Sequence, residues 1–531
     1  MLAFSTNDEL QLLGLLAAVG LLLALAPTLR IPYPILLVLG GLGLGFVPGL
    51  PDLSLPPELV LVAILPPLLY YAAFSTSLRD FRANARPNAL LSLGLVTVTT
   101  VGVAVVAHAA IAGLPWSSAF VLGAVVSPTD PIAATSMAHR FGVPRRLIAI
   151  IEGESLVNDA SALVLYKFAV AAVVTGSFSL WHAGLRFVLN VAGGLAIGLV
   201  VGYVVRQIRK RLDYPPGEIT LALLTGYFAY LPADAARLSA VIAVVTAGIY
   251  VGWHTPELTT VQTRLQGSAF WEILAFVVNS FLFVLVGLQL PHILDALSGR
   301  SAVDLAGDAV LVAGAVIVIR ILWIFPATYA PRWLFRSVRE RDPYPPWQRP
   351  ALIAWTGMRG AVSLAAALAL PLRTDLGAPF PGRDLIVFLA FAVILATLVV
   401  QGLSLPLVVR LLGLEDDGSG QKEEAKARIH AAEAALDRLE ELVDEEWVHP
   451  NTAQRMRGLY DFRRSRFAAR FDSTDDGSLD QQSANYQRLR RELLDAERRA
   501  VVDLRREGRI SDEVMRAVER DLDLEDSRLE I

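Results

Sequence analysis

The sequence predicts an all-α polytopic membrane protein that ends in a helical cytoplasmic tail. Three observations carry that reading. Of the 531 residues, 54% are hydrophobic and only 18% charged, and mean hydropathy is +0.50, a balance rarely met in soluble chains of this size. Up to about residue 412 the charges sit in short clusters between long apolar runs. Beyond it the chain turns abruptly polar, so the net charge of −4 averages two different solvents. The chain has no cysteine, which removes disulfides, thiolate metal sites and cysteine nucleophiles from consideration.

A bilayer core of about 30 Å asks for roughly 20 apolar residues per helix. By that measure about thirteen spans lie near 10–27, 32–49, 58–76, 88–112, 118–138, 147–174, 183–206, 217–231, 236–253, 268–289, 303–330, 349–371 and 384–411. Acidic rather than basic residues (Asp8, Glu9) precede the first run, so it reads as a retained span, not a leader. Loop charge orients the set. "RDFRANAR", "HRFGVPRR", "RQIRKR" and "RWLFRSVRER" follow spans 3, 5, 7 and 11, whereas "PGLPDLSLPPE" and "LPWSS" carry almost no Lys or Arg. The positive-inside rule then puts the N-terminus outside a cell membrane and the tail in the cytoplasm.

Residues 1–412 thus form the transmembrane domain and 413–531 the tail. The tail opens on the hinge-like "EDDGSGQ" and continues through "KARIHAAEAALDRLEELVDEEW" and "NYQRLRRELLDAERRAVVDLRREGRI". Leu, Ala and Val recur there at three and four residues with charges between, as in a solvated helical appendage. "DSTDDGS" interrupts the pattern. Its mixed charge argues against nucleic acid; a regulator or the second protomer are the partners such a tail could contact.

Ionisable groups at membrane depth are costly and usually functional, so three spans hold the argument. Span 5 contains "VVSPTDPIAATSM", with Asp130 near the midplane at about 1.5 Å per residue. Pro128 and Pro131 flank Thr129 and Asp130. Each proline lacks an N–H and obstructs the preceding turn, so the helix is expected to open and free carbonyls for a cation. Span 6 contains "EGESLVNDASALVLY". Ser155 and Asp159 share a helix face and Asn158 is adjacent; these are hard oxygen ligands, suited to a small cation rather than a soft metal. Glu154 lies on a neighbouring face, and Glu152 sits nearer the cytoplasmic end, where it reaches water.

Arg320, mid-span in "AVIVIRILWIF", needs a carboxylate, and Glu154 is its natural partner. Arg359 lies in "WTGMRGAVSLA", where Gly357 and Gly360 invite a second break and would place fixed positive charge near Asp130. The blander readings are a packed proline kink at 128–131 and an Arg359 that snorkels from a helix end. Lys167 reads as snorkelling and Asn279 as a packing residue. His108, His139, His254 and His292 are scattered without ligand spacing.

"SPTDP", then "GESLVNDA", then a mid-span arginine, then "GMRGAVSLA" resembles the monovalent cation:proton antiporter family over residues 10–412, and more narrowly the bacterial sodium/proton exchangers related to animal exchangers. The resemblance implies a thirteen-helix fold of two inverted six-helix repeats, with spans 5 and 12 broken and crossing. Spans 4–6 and 11–13 would form a core moving like an elevator against a homodimer scaffold of spans 1–3 and 8–10. By the same resemblance Asp159 carries the ion or the proton. Thr129, Asp130, Ser155 and Asn158 surround Na+, Glu154 and Arg320 form a stabilising pair, and Arg359 stands at the span-12 break. No cofactor is implied beyond the transported Na+ and H+. Electrogenic relatives hold two adjacent aspartates where this chain has Asn158 and Asp159, which suggests electroneutral one-for-one exchange. In one departure, "LPPLLYYAAF" puts Tyr71 where many members have an acidic residue.

The expected mechanism is competition for one carboxylate. A proton occupies Asp159 at low pH and a cation at high pH, and only the occupied carrier crosses. A K+/H+ antiporter of the same family is the alternative, since oxygen ligands alone do not separate Na+, Li+ and K+. A channel would need a pore lined along its length. An intramembrane aspartyl enzyme would need a cleavage motif such as Gly-x-Gly-Asp, which the sequence lacks.

Overall fold

In a computed structural model, the described residues are 14, 17–24, 32–47, 59–176, 180–297, 299–414, 418–469 and 478–527. Two compact units divide at residue 415. Among the described residues the structure is helical; the one β-bridge joins Arg373 to Pro379 in a loop. Six helices are long and apolar enough to cross a membrane: Ala85–Ala110, Arg145–Thr175, Gly184–Arg209, Val261–Asp295, Ala302–Leu334 and Arg383–Leu412. Shorter apolar helices occupy Tyr33–Gly45, Val60–Ser75 and Trp116–Val126. Span 8, whose apolar run is the shortest in the sequence, forms a helix of 21 residues, Pro215–Ala235. Of the first span, residues 14 and 17–24 are described, and they are helical.

Two spans are interrupted. Span 5 consists of Trp116–Val126 and Ile132–Arg140, and span 12 of Gln348–Trp355 and Ala361–Leu368. The first break falls on the prolines, as their missing N–H groups require. The second falls on 356–360, where the reason is space. A Cβ at Gly360 would lie 2.0 Å from Asp130 Oδ2, and one at Gly357 would lie 2.3 Å from Arg320 Cδ.

The main apolar core joins spans 2, 4, 5, 6, 10, 11, 12 and 13; Phe283, Phe391, Ile151 and Leu122 are among its largest fully buried members. A smaller core packs spans 3, 8, 9 and 10 and one face of span 6 around Tyr70, Ala229 and Ala243. Helices approach closely where residues are small, as membrane packing without a hydrophobic drive between helices requires. A Cβ at Gly198 would lie 2.4 Å from Ala243 O, and one at Gly41 would lie 2.3 Å from Val284 O. Arg209 and Glu218 form a second buried ion pair at 3.4 Å, joined to spans 9 and 10 through Thr255 and Thr263. At one end of the bundle the basic segments after spans 3, 5 and 11 converge, since Arg86, Arg146 and Arg332 all bond Asp342.

The tail unit contains Ser419–Leu442 packed on Pro450–Ala469, and Ser478–Arg506 packed on Asp512–Ser527. The second pair is laced by Arg498 to Asp523 and Asp526, at 2.8 and 3.0 Å. The "DSTDDGS" interruption and the start of the hinge-like segment lie outside the described residues.

Candidate functional site

The two breaks touch. Freed of its own helix, the Asp130 backbone N–H donates to Met358 O at 2.8 Å. The Asp130 side chain turns back, and its Oδ1 accepts from the Ile132 N–H at 2.9 Å, capping the second half of span 5. On the other strand of the crossing, the Arg359 N–H donates to Thr397 Oγ1 at 3.1 Å. Thr397 opens a π-helical segment of span 13, Thr397–Gly402, a widening often met at functional sites.

Span 6 supplies the facing wall. Asn158 Nδ2 donates to Thr129 Oγ1 at 2.6 Å; Thr129 Oγ1 in turn donates to Glu154 Oε1 at 3.1 Å and lies 3.4 Å from Ser155 Oγ. Glu154 receives Arg320 through both oxygens, at 2.5 and 2.8 Å. Arg320 also donates twice to Ile353 O, at 3.2 and 2.9 Å, and so caps the C-terminal end of the first half of span 12. Both partners of this pair are sealed, at 1–2% side-chain exposure.

A cavity of about 550 Å³ reaches this crossing. Thr129, Asp130, Ser155 and Asp159 line it, with Tyr71, Glu152, Glu272 and Asn279. Of the five residues expected around the ion, four therefore share one space: the two aspartates and two hydroxyls. Asn158 is in the wall behind Thr129, 1% exposed, with its Oδ1 buried and unpartnered. Glu154 and Arg320 meet as a pair. Arg359 is fully buried; its Nη1 holds Gly357 O at 2.9 Å, while Nε and Nη2 have no hydrogen-bond partner. It forms no ion pair with Asp130; what touches Asp130 is the glycine beside it.

Other sequence expectations resolve as follows. Tyr71 stacks on Trp271 at 5.2 Å with rings 4° from parallel. Lys167 lies 3.7 Å from Asp234 and is largely exposed. Asn279 donates to the Ala275 carbonyl of its own helix at 2.7 Å. Glu272 was not singled out, although a lone glutamate in "GSAFWEILAF" is the same signal that marked Asp130.

Crossing interrupted helices, a buried polar chain and two carboxylates lining one cavity define an ion-coupled membrane transporter. The chain matches the family model for the sodium/hydrogen exchanger, transmembrane, over residues 14–411, and it belongs to that family. It is 38% identical over 525 residues to an uncharacterized Na(+)/H(+) exchanger of Mycobacterium tuberculosis, covering 98% of this chain and 95% of the relative. It is 34% identical over 390 residues to the sodium, potassium, lithium and rubidium/H(+) antiporter of Bacillus subtilis, covering 71% and 58%. Among solved structures, the sodium proton antiporter MjNhaP1 from Methanocaldococcus jannaschii aligns with a TM-score of 0.58 at 19% identity, covering 77% of this chain and all of that one. The protein is thus a cation/proton antiporter and not an enzyme.

Proposed function

We propose that the chain exchanges Na+ for H+ across the cell membrane, one for one, with Asp159 as the shared carrier and Asp130, Thr129 and Ser155 as neighbouring oxygen ligands. The observation that carries this reading is a cavity that reaches two crossing helix breaks and ends on acidic oxygens. On span 6, whose helix runs from residue 145 to 175, it touches only Glu152, Ser155, Leu156 and Asp159. On span 3 the same cavity is bordered from Val60 and Ile64 to Ser75 and Thr76, the last two next to the arginine-rich segment. Crossing helix breaks on the wall of this cavity support alternating access over a channel. The positive-inside rule makes the Ser75–Thr76 end of the cavity cytoplasmic.

Asn158 supports the stoichiometry. It donates an N–H to Thr129, which a carboxylate could not do, and a second ionised group there would stand beside Glu154 without a cation of its own. Spans 3 and 8–10, which pack around Tyr70 and Ala229 against one face of span 6, supply the stationary, dimer-forming scaffold, and the spans around the two breaks move as the core. The Bacillus relative's printed name makes K+, Li+ and Rb+ the competing ions to test.

The experiment is a pH-dye assay in proteoliposomes with the membrane voltage clamped, adding Na+, Li+ or K+. Wild type dequenches the dye with no dependence on voltage. Asp159→Asn folds normally and loses cation-driven proton movement; full retained exchange sinks the assignment.

A further inference from the structure

The arginine convergence at the end of the bundle is not used by the transport reading. Asp342 Oδ2 accepts from Arg86 and from Arg332, and Oδ1 accepts from Arg146 at 3.0 Å. Arg349 lines the same cavity and makes no side-chain bond among the described residues. Four guanidiniums against one carboxylate leave three positive charges in one place. Burial pushes the Asp342 carboxyl up, but the Arg146 hydrogen bond and the charges of Arg146, Arg332 and Arg86 carry it below the usual carboxylate range. It therefore stays ionised and holds its arginines in fixed positions.

The arginines are not equivalent. Arg332 is 8% exposed and is further tied to Thr328 O, Asp342 O and Pro343 O, so it belongs to the frame. Arg86 and Arg146 are 31% and 51% exposed; of the five N–H donors each guanidinium carries, Arg86 gives one to Asp342, and Arg146 gives one to Asp342 and its Nε–H to Asn84 Oδ1 at 3.4 Å. The cavity beneath them holds about 70 Å³, room for several waters at ~10–15 Å³ each. Leu91, Leu147, Ile150 and Ile353 form its apolar side. A basic rim over an apolar floor at the ends of membrane helices is the chemistry that takes a lipid headgroup, and preorganised guanidinium edges fit a tetrahedral oxyanion.

We propose that Arg86, Arg146 and Arg349, arranged by Asp342 and Arg332, bind a phosphate group, presented by an anionic phospholipid headgroup or by free phosphate. The site is wired to the cation site through one residue. Ile353 lines the phosphate cavity, and its carbonyl is held by Arg320, the partner of Glu154. Occupancy would thus stiffen the ends of spans 4, 6, 11 and 12, which carry the transport machinery.

The test is binding to the full-length protein in neutral detergent, so its outcome is separate from that of the antiport reading. Thermal unfolding is followed with inorganic phosphate, and in parallel with phosphatidylcholine bicelles with or without phosphatidic acid. Ligand that binds only the folded state raises Tm with its concentration. A rise with both sources marks a general phosphate site; a rise with phosphatidic acid alone marks a headgroup site. Arg86→Gln/Arg146→Gln is expected to weaken the ligand about tenfold or more, the worth of a lost charge-assisted hydrogen bond. Arg349→Gln removes a side chain with no internal bond, so it keeps the fold and still weakens binding. No rise from either source, or equal rises in Arg349→Gln and wild type, overturns the proposal.

Discussion

Arg320 and Arg359 lie beside the same broken helix and are equally buried, yet they are treated in opposite ways. Arg320 spends its guanidinium on both oxygens of Glu154 and on a helix-end carbonyl. Arg359 holds one carbonyl and leaves Nε and Nη2 without partners. A buried charge without compensation is expensive, so the first arrangement builds the wall and the second keeps electrostatic energy in reserve at the crossing. The difference teaches that burial alone does not mark a structural charge; satisfaction does. The same holds for the acids, since Glu154 is sealed in its pair while Asp130 and Asp159 face the cavity.

The sharpest way to break this contrast is to neutralise one charge in each arrangement. Glu154→Gln leaves Arg320 buried and unpaired, with an expected loss of about 3–5 kcal/mol and a large fall in Tm whether or not cation is present. Arg359→Gln removes a charge with no carboxylate to orphan and keeps an amide donor for the Gly357 carbonyl, so stability is expected to move by about 1 kcal/mol or less while exchange falls. Thermal unfolding of both variants in one detergent decides. Equal destabilisation would make Arg359 a structural residue and erase the distinction.

Gly360→Ala probes the crossing itself. The added methyl would overlap the Asp130 side chain, 2.0 Å from Oδ2, and overpacking of this kind costs about 1–3 kcal/mol. Because the displaced atom is a cavity-lining carboxylate rather than backbone, the loss should appear in cation affinity before it appears in Tm. A variant with unchanged affinity would mean that Asp130 takes no part in the cation site.

These residues differ in how far the sequence reveals them. The span-5 break was legible because proline lacks an N–H wherever it stands, and the Ser155–Asp159 face because helical spacing is local. The Glu154–Arg320 pair was legible from scarcity: a mid-membrane arginine has few carboxylates to choose from. The Asp342 convergence was not, because Arg86 and Asp342 are 256 residues apart and each looks like an ordinary loop charge. Arg209 with Glu218 was hidden for the same reason, as both sit at helix ends where water is the default partner. Asn158 was read for its carbonyl oxygen as a ligand. Which end of an amide faces the cavity depends on the neighbour across the break, and the structure gives the amide N–H to Thr129.

That amide sets the smallest prediction, and the one that tests whether wall and crossing are coupled. Thr129 Oγ1 is the single atom joining Asn158 to Glu154. Thr129→Val keeps the shape, removes the hydroxyl, and leaves a buried amide donor and a carboxylate oxygen each short of one bond. At about 0.5–1.5 kcal/mol per bond the loss is well below that of Glu154→Gln, and Thr129→Ser should restore most of it. Asn158→Ala alone removes one of the same two bonds. If the three residues act as a chain, the double variant costs less than the sum of the singles, by a coupling of about 0.5–3 kcal/mol. Additive losses would mean that Thr129 serves the cavity and the wall independently, and that the contrast between Arg320 and Arg359 stops at the residues that touch them.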